Sequence, residues 1–391
     1  MEQSTTLEMF DSIEDLLRTS IRGFIHKIVE DEVVVAIERC RYERGGCGYR
    51  NGHRSRTLIT TMGRLEVSVP RARIHSDGGE REFRSSVLPR NRRLTKNAAA
   101  LIVSTYLCGV STRKVSRALA RALGPGVSKS QVSRILAQLR PEWEAWQARD
   151  LSKENIERLI LDGIVVHVRI GKKSERMTVL VALGVRADGQ KLVLAFKTMG
   201  AESKDAWKEI LEDLSSRGVK QPEIAITDGS KGLEAALAEV WPAAPVQRCT
   251  VHKERNLLSK APKSLHDELK ADYSRMMYAP SAEEALRLRR AFLDKWRKKC
   301  AGVARSFEEA GDRLFTFLKF PPAQWKSLRT TNAIERLQEE FRRRIKVQGV
   351  QPSEDSVCML FWALLASGAV TMRKVDGFQT IRSREPGEVA A

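Results

Sequence analysis

The sequence predicts a multidomain α+β protein. Three observations predict it. The chain has 391 residues, enough for two or three separate cores. Strand patterns fall in two stretches, each flanked by helical periodicity. The basic excess is gathered in one segment instead of being spread along the chain. Apolar residues make up 42% and charged residues 30%, the balance of a globular chain.

Residues 1–40 read as an N-terminal helix, with Ile13, Leu16, Leu17, Ile21, Phe24, Ile25 and Ile28 at helical spacing. This helix is a candidate dimerisation element. Residues 41–95 form a basic, Gly/Arg-rich β-hairpin region, with strands at 57–61 and 65–69 around Met62-Gly63-Arg64. Residues 96–150 carry three helices in helix-turn-helix order. The first covers 98–107. The second covers 112–123 and is halted by Gly124-Pro125-Gly126. The third opens at Ser128, with Gln131 at capping-box spacing. The tail, 371–391, is polar and is expected to fray.

The net charge is +19, and residues 50–140 hold 19 Lys or Arg against four acids. So dense a charge repels itself unless a polyanion is the partner. Arg113, Lys114 and Arg117 on the second helix suit phosphates. Ser128, Lys129, Gln131 and Arg134 lie near the start of the third, where a recognition helix meets base edges. The plainer alternative is a three-helix bundle with a basic surface. A membrane role is disfavoured, because no aromatic stripe interleaves the basic residues. The N-terminus lacks the layout of a signal peptide, and the longest apolar run, 357–370, is 14 residues, too short to span a bilayer. Six scattered cysteines fit a reduced, cytoplasmic protein.

Residues 151–251 give strands at 159–169, 176–185 and 191–197, a helix at 204–217, a strand at 223–227, a helix at 231–240 and a strand at 246–251. A three-strand meander followed by helix, strand, helix, strand is the order of a ribonuclease H-like mixed α/β core. A doubly wound nucleotide-binding fold would alternate from the start. Gly171-Lys172 does not complete a phosphate loop, because Val166 stands where its first Gly belongs. Helical signals then fill 252–325, an all-helical insertion, and 326–370, the last helices of the core.

Three acids stand out. Asp162 sits inside the first strand of this block, Asp228 ends the fourth, and Glu335 lies on a helix beginning near Thr331. Carboxylates on two strands and a covering helix can converge on a pair of divalent ions, the arrangement phosphodiester chemistry uses. Taken singly, each has a plainer reading. Asp162-Gly163 and Asp228-Gly229 make good turns, and Glu335 has capping-box spacing from Asn332.

The segments LDGIVVHVR, ITDGSKGLEAAL, WPAAPVQRCTVHKERN and LRTTNAIERLQEEFRRR resemble, in order, the motif series of the Mutator-type bacterial insertion-sequence transposases. RYERGGCGYRNGHRSR, VSVPRAR, YLCGVSTRKVSRAL and GVSKSQVSRI extend the resemblance over roughly residues 40–365. It implies a DDE transposase in which Asp162, Asp228 and Glu335 bind two Mg²⁺, with Mn²⁺ as a substitute. It further implies double-stranded DNA partners (transposon ends and target), a homodimer or higher assembly on DNA, and a place on the bacterial nucleoid. Cys249 and His252 match the family's Cys-x-x-His motif. Two such ligands do not make a zinc site, and Cys40, Cys47 and His53 could add only an irregular one. Cys249 is expected to be buried, and His252 to orient DNA or a carboxylate near the ions, with a plain core hydrogen bond as its alternative; Arg255, Asn256, Arg329, Arg342, Arg343 and Arg344 are candidate phosphate contacts. Two rival readings remain: a ribonuclease H-like nuclease or resolvase without strand transfer, and a non-catalytic DNA-binding regulator.

Overall fold

The structure, a computed structural model, describes residues 2–76, 78–123, 127–200 and 203–381. The chain divides into two units, Met1–Gln138 and Leu139–Ala391. The result is a mixed α/β protein with one sheet in each unit.

In the first unit a long helix, α1 (Glu2–Ile37), covers a three-stranded antiparallel sheet in the order β1 (Gly48–Thr60), β2 (Gly63–Ser76), β3 (Gly79–Glu82). Alternation along β2, shifted by one residue at Val69-Pro70, explains the packing. Leu65, Val67, Val69, Ala72 and Ile74 are buried, with Val29, Val33 and Ile37 of α1 in the same clusters. Arg64, Arg71 and Arg73 are left on the solvent side. Gly63 pairs with Thr60 across the two-residue turn Thr61-Met62 and takes φ +97°, which only glycine adopts readily. The strands are longer than the hairpin read from the sequence, and β3 was not foreseen. The apolar positions of α1 also divide. Ile21 and Ile25 join the core, but Ile13, Leu16, Leu17 and Phe24 are exposed, because the stripe that meets the sheet runs on through Val29 and Val33.

Three helices follow in the same unit: α2 (Lys96–Leu107), α3 (Thr112–Leu123) and α4 (Lys129–Ala137), each in contact with the other two. Ala98, Ile102, Val115, Leu123, Val132 and Leu136 are among their buried residues. Ser128 caps α4, its hydroxyl accepting from the Gln131 amide at 3.2 Å. The Ser116 hydroxyl donates to the Val127 carbonyl at 2.6 Å, fastening α3 to the start of α4. The expected stop at Gly124–Gly126 lies outside the described residues.

The second unit opens with α5 (Arg140–Gln147), which the sequence reading had placed in the preceding helical segment. Its Trp143 and Trp146 pack on Phe196, so this helix is tied to the second core. The sheet of this unit has the order β6-β5-β4-β7-β8, from β4 (Ile156–Ile170), β5 (Lys173–Arg186), β6 (Lys191–Met199), β7 (Ile224–Thr227) and β8 (Val246–Arg248). β4, β5 and β6 form an antiparallel meander, and β7 and β8 add in parallel on the other side of β4. α6 (Lys204–Ser216) and α7 (Lys231–Val240) cover one face, where Leu159, Leu161, Leu180 and Leu194 meet Trp207, Leu211 and Leu237. Toward the other face, Phe196 meets Phe341 of α13 (Asn332–Gln348) and Phe361 of α14 (Glu354–Ala366).

Between β8 and α13 the chain forms α8 (Thr250–Leu258), α9 (His266–Met277), α10 (Ala282–Lys299), α11 (Ala301–Ala310) and the short α12 (Trp325–Leu328). Leu257, Tyr273, Phe292, Trp296 and Phe307 form their own core. A buried charge network fastens this insert to the sheet. Arg248 donates to Glu234 of α7 and, at 3.0 Å, to Glu309 of α11, and Lys253 Nζ meets the same Glu309 at 3.0 Å. The expected fraying of the tail is corrected over 371–381. Val375 and Ile381 are buried, Gln324 donates to the Thr380 carbonyl at 2.7 Å, and Phe378 lies against Gly189. Among the described residues no helix is long and apolar enough to cross a membrane.

Candidate active site

Asp162 lies within the 15-residue β4, so the turn reading is overturned at this position. Its neighbours Leu159 and Leu161 belong to the core under α6 and α7, so by alternation Asp162 faces the side covered by α13. β4 and β7 run parallel, with Ile160 opposite Ile226. Asp228 follows directly after the end of β7, and its charge acts on Asp162. Asp228 does open a strand-to-helix turn, its Oδ1 accepting from the Ser230 amide at 2.8 Å. Gly229 beside it has φ +93°, where a side chain would be strained.

Glu335 sits in the first turn of α13, its amide donating to the Thr331 carbonyl at 3.0 Å. Its carboxylate is not a cap. Oε1 lies 3.3 Å from His252 Nε2 and 3.4 Å from an Arg255 guanidinium nitrogen. His252 and Arg255 stand on α8, which begins directly after Cys249 at the end of β8. The Cys249 amide donates to the Thr227 carbonyl at 2.7 Å, locking this corner beside Asp228. Thr331 was not singled out in the sequence, yet it joins the parts. Its hydroxyl reaches Cys249 Sγ at 3.3 Å and His252 Nδ1 at 3.4 Å, and its amide reaches the same sulfur at 3.4 Å. The start of α13, and with it Glu335, is thereby held to β8. The only sequence signal was the doubled threonine before Asn332.

The electrostatics follow from burial and from the charges gathered here. Burial lifts the Asp162 carboxyl to about 6; the Gly163 amide and His252 oppose this, while Asp228 and Glu335 add to it. The bond to Cys249 lifts His252 to about 9, with burial opposing and Asp162 and Glu335 reinforcing. Burial pushes the Cys249 thiol up, but bonds to His252 and Thr331 outweigh it and hold it below the usual range. An NMR titration of the imidazole is therefore expected to place His252 near pH 9, and Cys249→Ala to bring it down toward the ordinary imidazole range. An unchanged titration in the variant would mean that the carboxylates alone hold the charge.

Hard carboxylate oxygens on neighbouring elements suit divalent ions. The ligand atoms of Asp162, Asp228 and Glu335 do not all fall within 4.8 Å of one another, as those around a single ion would. A two-ion site asks for no such closure, since its outer acids hold different ions. The remaining sequence candidates divide. Asn256 is exposed on α8. Arg329 donates to the Met277 carbonyl and lies 4.2 Å from the Tyr278 ring centre. Along α13, Arg342 donates to Gln338 at 3.1 Å, and Arg343 and Arg344 both pair with Glu340. In the first unit Arg113, Lys114, Arg117, Ser128, Lys129 and Arg134 are exposed and Gln131 is half-buried.

Residues 1–372 match the model of the Mutator transposase family. The chain belongs to that family. It is 34% identical over 352 residues to the transposase for insertion sequence element ISRM5 of Rhizobium meliloti, covering 90% of this chain and 87% of the relative. It is 32% identical over 360 residues to the transposase for IS256 in transposon Tn4001 of Staphylococcus aureus, covering 90% of each. The transposase for IS1081 of Mycobacterium tuberculosis is 30% identical over 368 residues, covering 93% of this chain and 87% of that one. A chain of the simian T-cell lymphotropic virus intasome aligns over 48% of this Mutator-family chain and 63% of its own length, at 15% identity. Its TM-score of 0.18 carries no argument about fold.

Proposed function

We propose that this Mutator-family protein is a DDE transposase that binds the terminal inverted repeats of an insertion sequence, cleaves there and joins the freed 3′-hydroxyl to target DNA. The observation that carries the reading is that buried Asp162, on the central strand β4, lies where the charges of both Asp228 and Glu335 act on it, with the Glu335 carboxylate held beside His252. The sheet order, a meander with two parallel strands added beside its first strand, supports a ribonuclease H-like core. Two Mg²⁺, or Mn²⁺ in their place, would be held by these acids and, when bound, activate the attacking oxygen and stabilise the leaving one. The chain itself supplies the three carboxylates, Thr331 to fix the helix that carries Glu335, and protonated His252 to hold that carboxylate in place. The strongest test is incubation of the full-length protein and Mg²⁺ with uncleaved end DNA and, separately, with pre-cleaved ends and a plasmid. Joined product is expected. Cleavage without joining would favour a nuclease or resolvase, and neither would favour a DNA-binding regulator.

End recognition is assigned to the first unit, with α3 and α4 read as a helix-turn-helix. Gln131 and Arg134 lie on α4, where bidentate base contacts are each worth roughly 1–3 kcal/mol. Gln131→Ala and Arg134→Ala are expected to narrow the difference in affinity between end and random DNA by about 5- to 150-fold each. Lys114→Ala and Arg117→Ala are expected to weaken both equally. Competition binding separates the outcomes, and undiminished discrimination in the α4 variants would move base reading to another element.

A further inference from the structure

The first unit contains a second cluster of ligating side chains, far along the sequence from the acids. His26 and Glu30 lie four residues apart on α1, so they share one face of the helix. His53 comes from β1, directly after the register shift between Arg50 and His53. Gly52 within that bulge has φ +68°, and a bulge of this kind redirects the side chain that follows it. The ligand atoms of His26, Glu30 and His53 all lie within 4.8 Å of one another, and no other such group occurs among the described residues.

We infer that His26, Glu30 and His53 form a binding site for a transition-metal ion of the zinc class, pinning α1 to the hairpin of the basic unit. Two imidazoles and one carboxylate are a borderline ligand set that suits Zn²⁺ or Co²⁺ and is poorly matched to Mg²⁺. The hydrogen bonds around the cluster are those that orient metal ligands. His26 Nδ1 is 3.2 Å from the Ser68 carbonyl. A carbonyl only accepts, so Nδ1 carries the proton and the Nε2 lone pair is free. Glu30 Oε2 is taken by Arg50 at 2.5 Å, leaving Oε1, which lies 2.9 Å from His53 Nε2. The ion would replace the proton that now lies between His53 and Glu30. His53 is more than a third exposed, so water can complete the coordination sphere. In the sequence Cys40 and Cys47 offer His53 only an irregular ligand set; its partners here come instead from α1.

The site joins the helix to β1, the strand that carries Arg50, Arg54 and Arg56. An ion there would hold the arginine-bearing hairpin to α1.

The test uses full-length protein freed of metal with a chelator, then titrated with Zn²⁺ alone by calorimetry in the presence of millimolar Mg²⁺. One Zn²⁺ per chain with micromolar or tighter affinity is expected. His26→Ala and His53→Gln are each expected to weaken it at least about a hundredfold. His53→Gln keeps a donor toward Glu30, so an unchanged circular dichroism spectrum and metal-free melting temperature would show that the fold survives. His75→Ala and Asp162→Asn are expected to leave the titration unchanged. Co²⁺ in place of Zn²⁺ is expected to give visible d–d absorption that disappears in the His53→Gln protein. Binding weaker than millimolar, or binding of equal strength in both ligand variants, would overturn the assignment and leave the cluster as an ion-paired packing contact.

Discussion

Asp162→Asn is expected to abolish cleavage and joining and, without divalent ions, to raise the melting temperature above about pH 6. The two effects have one origin. Burial and the neighbouring acids raise the Asp162 carboxyl from its ordinary 3.8 to about 6, so its ionisation opposes folding. The stability contributed by the protonated acid is present below pH 3.8 and is lost as the pH rises through 6. The asparagine cannot ionise. Its advantage therefore appears across that window and reaches at most about 3 kcal/mol at neutral pH. Adding Mg²⁺ is expected to stabilise the wild-type protein and not the variant.

Activity is expected to fall by roughly 10³-fold or more, because a lost carboxylate removes stabilisation of a charged transition state. Asp228→Ala and Glu335→Ala share the loss of activity. Asp188, whose carboxylate accepts from the Gln190 amide in an exposed turn, and Glu212 on the surface of α6 serve as controls and are expected to tolerate alanine. DNA binding is expected to persist in all three acid variants, since the basic unit is unaltered. The measurements are melting curves from pH 3.5 to 8 with and without Mg²⁺, beside a strand-joining assay. A variant no more stable than wild type at neutral pH would remove the argument from burial. A folded Glu335→Ala protein that joins ends at the wild-type rate would remove that residue from the site.

The second large effect is on DNA affinity. Raising salt from about 50 to about 200 mM is expected to weaken end binding by about 10³–10⁵-fold, the range for six to ten phosphate contacts. The structure gives the reason. β2 buries every apolar residue of its alternating pattern and turns Arg64, Arg71 and Arg73 to solvent, while Arg113, Lys114 and Arg117 stand exposed on α3. Some of this charge is already answered. Arg71 and Arg73 lie 3.9 and 3.5 Å from Glu82 and Glu80, so they contribute less than the unpaired groups of α3. Lys114→Ala with Arg117→Ala should therefore lower the slope of log affinity against log salt by about two, one for each lost phosphate contact. An affinity that does not respond to salt would contradict the reading of the basic segment.

Much of the second sheet was legible in the sequence because its strands are buried on both faces. Runs such as 159–166 are almost wholly apolar, and within them a single aspartate is conspicuous. Asp228 was marked by its glycine and the helix that follows. The capped helices were equally readable. Ser128 and Ser281 each sit three residues before the amide they cap, a local relation that sequence carries in full.

By itself, then, the sequence determined the order of elements, the concentration of positive charge and the three acids with their motifs, because each is a matter of composition or short-range periodicity. Only the tertiary structure decided which groups meet. Glu335 reaches His252 and Arg255 across some 80 residues, and Thr331 reaches Cys249 across 82. Arg329 meets Met277 and Tyr278, some 50 residues away in the chain. The seven apolar positions of α1 are read alike in the sequence, yet four of them face solvent. His26 and Glu30 gain His53 only because a bulge in β1 redirects it. These contacts depend on the register of strands and the placement of helices, which are fixed by packing across the whole unit and leave no trace at fixed spacing along the chain.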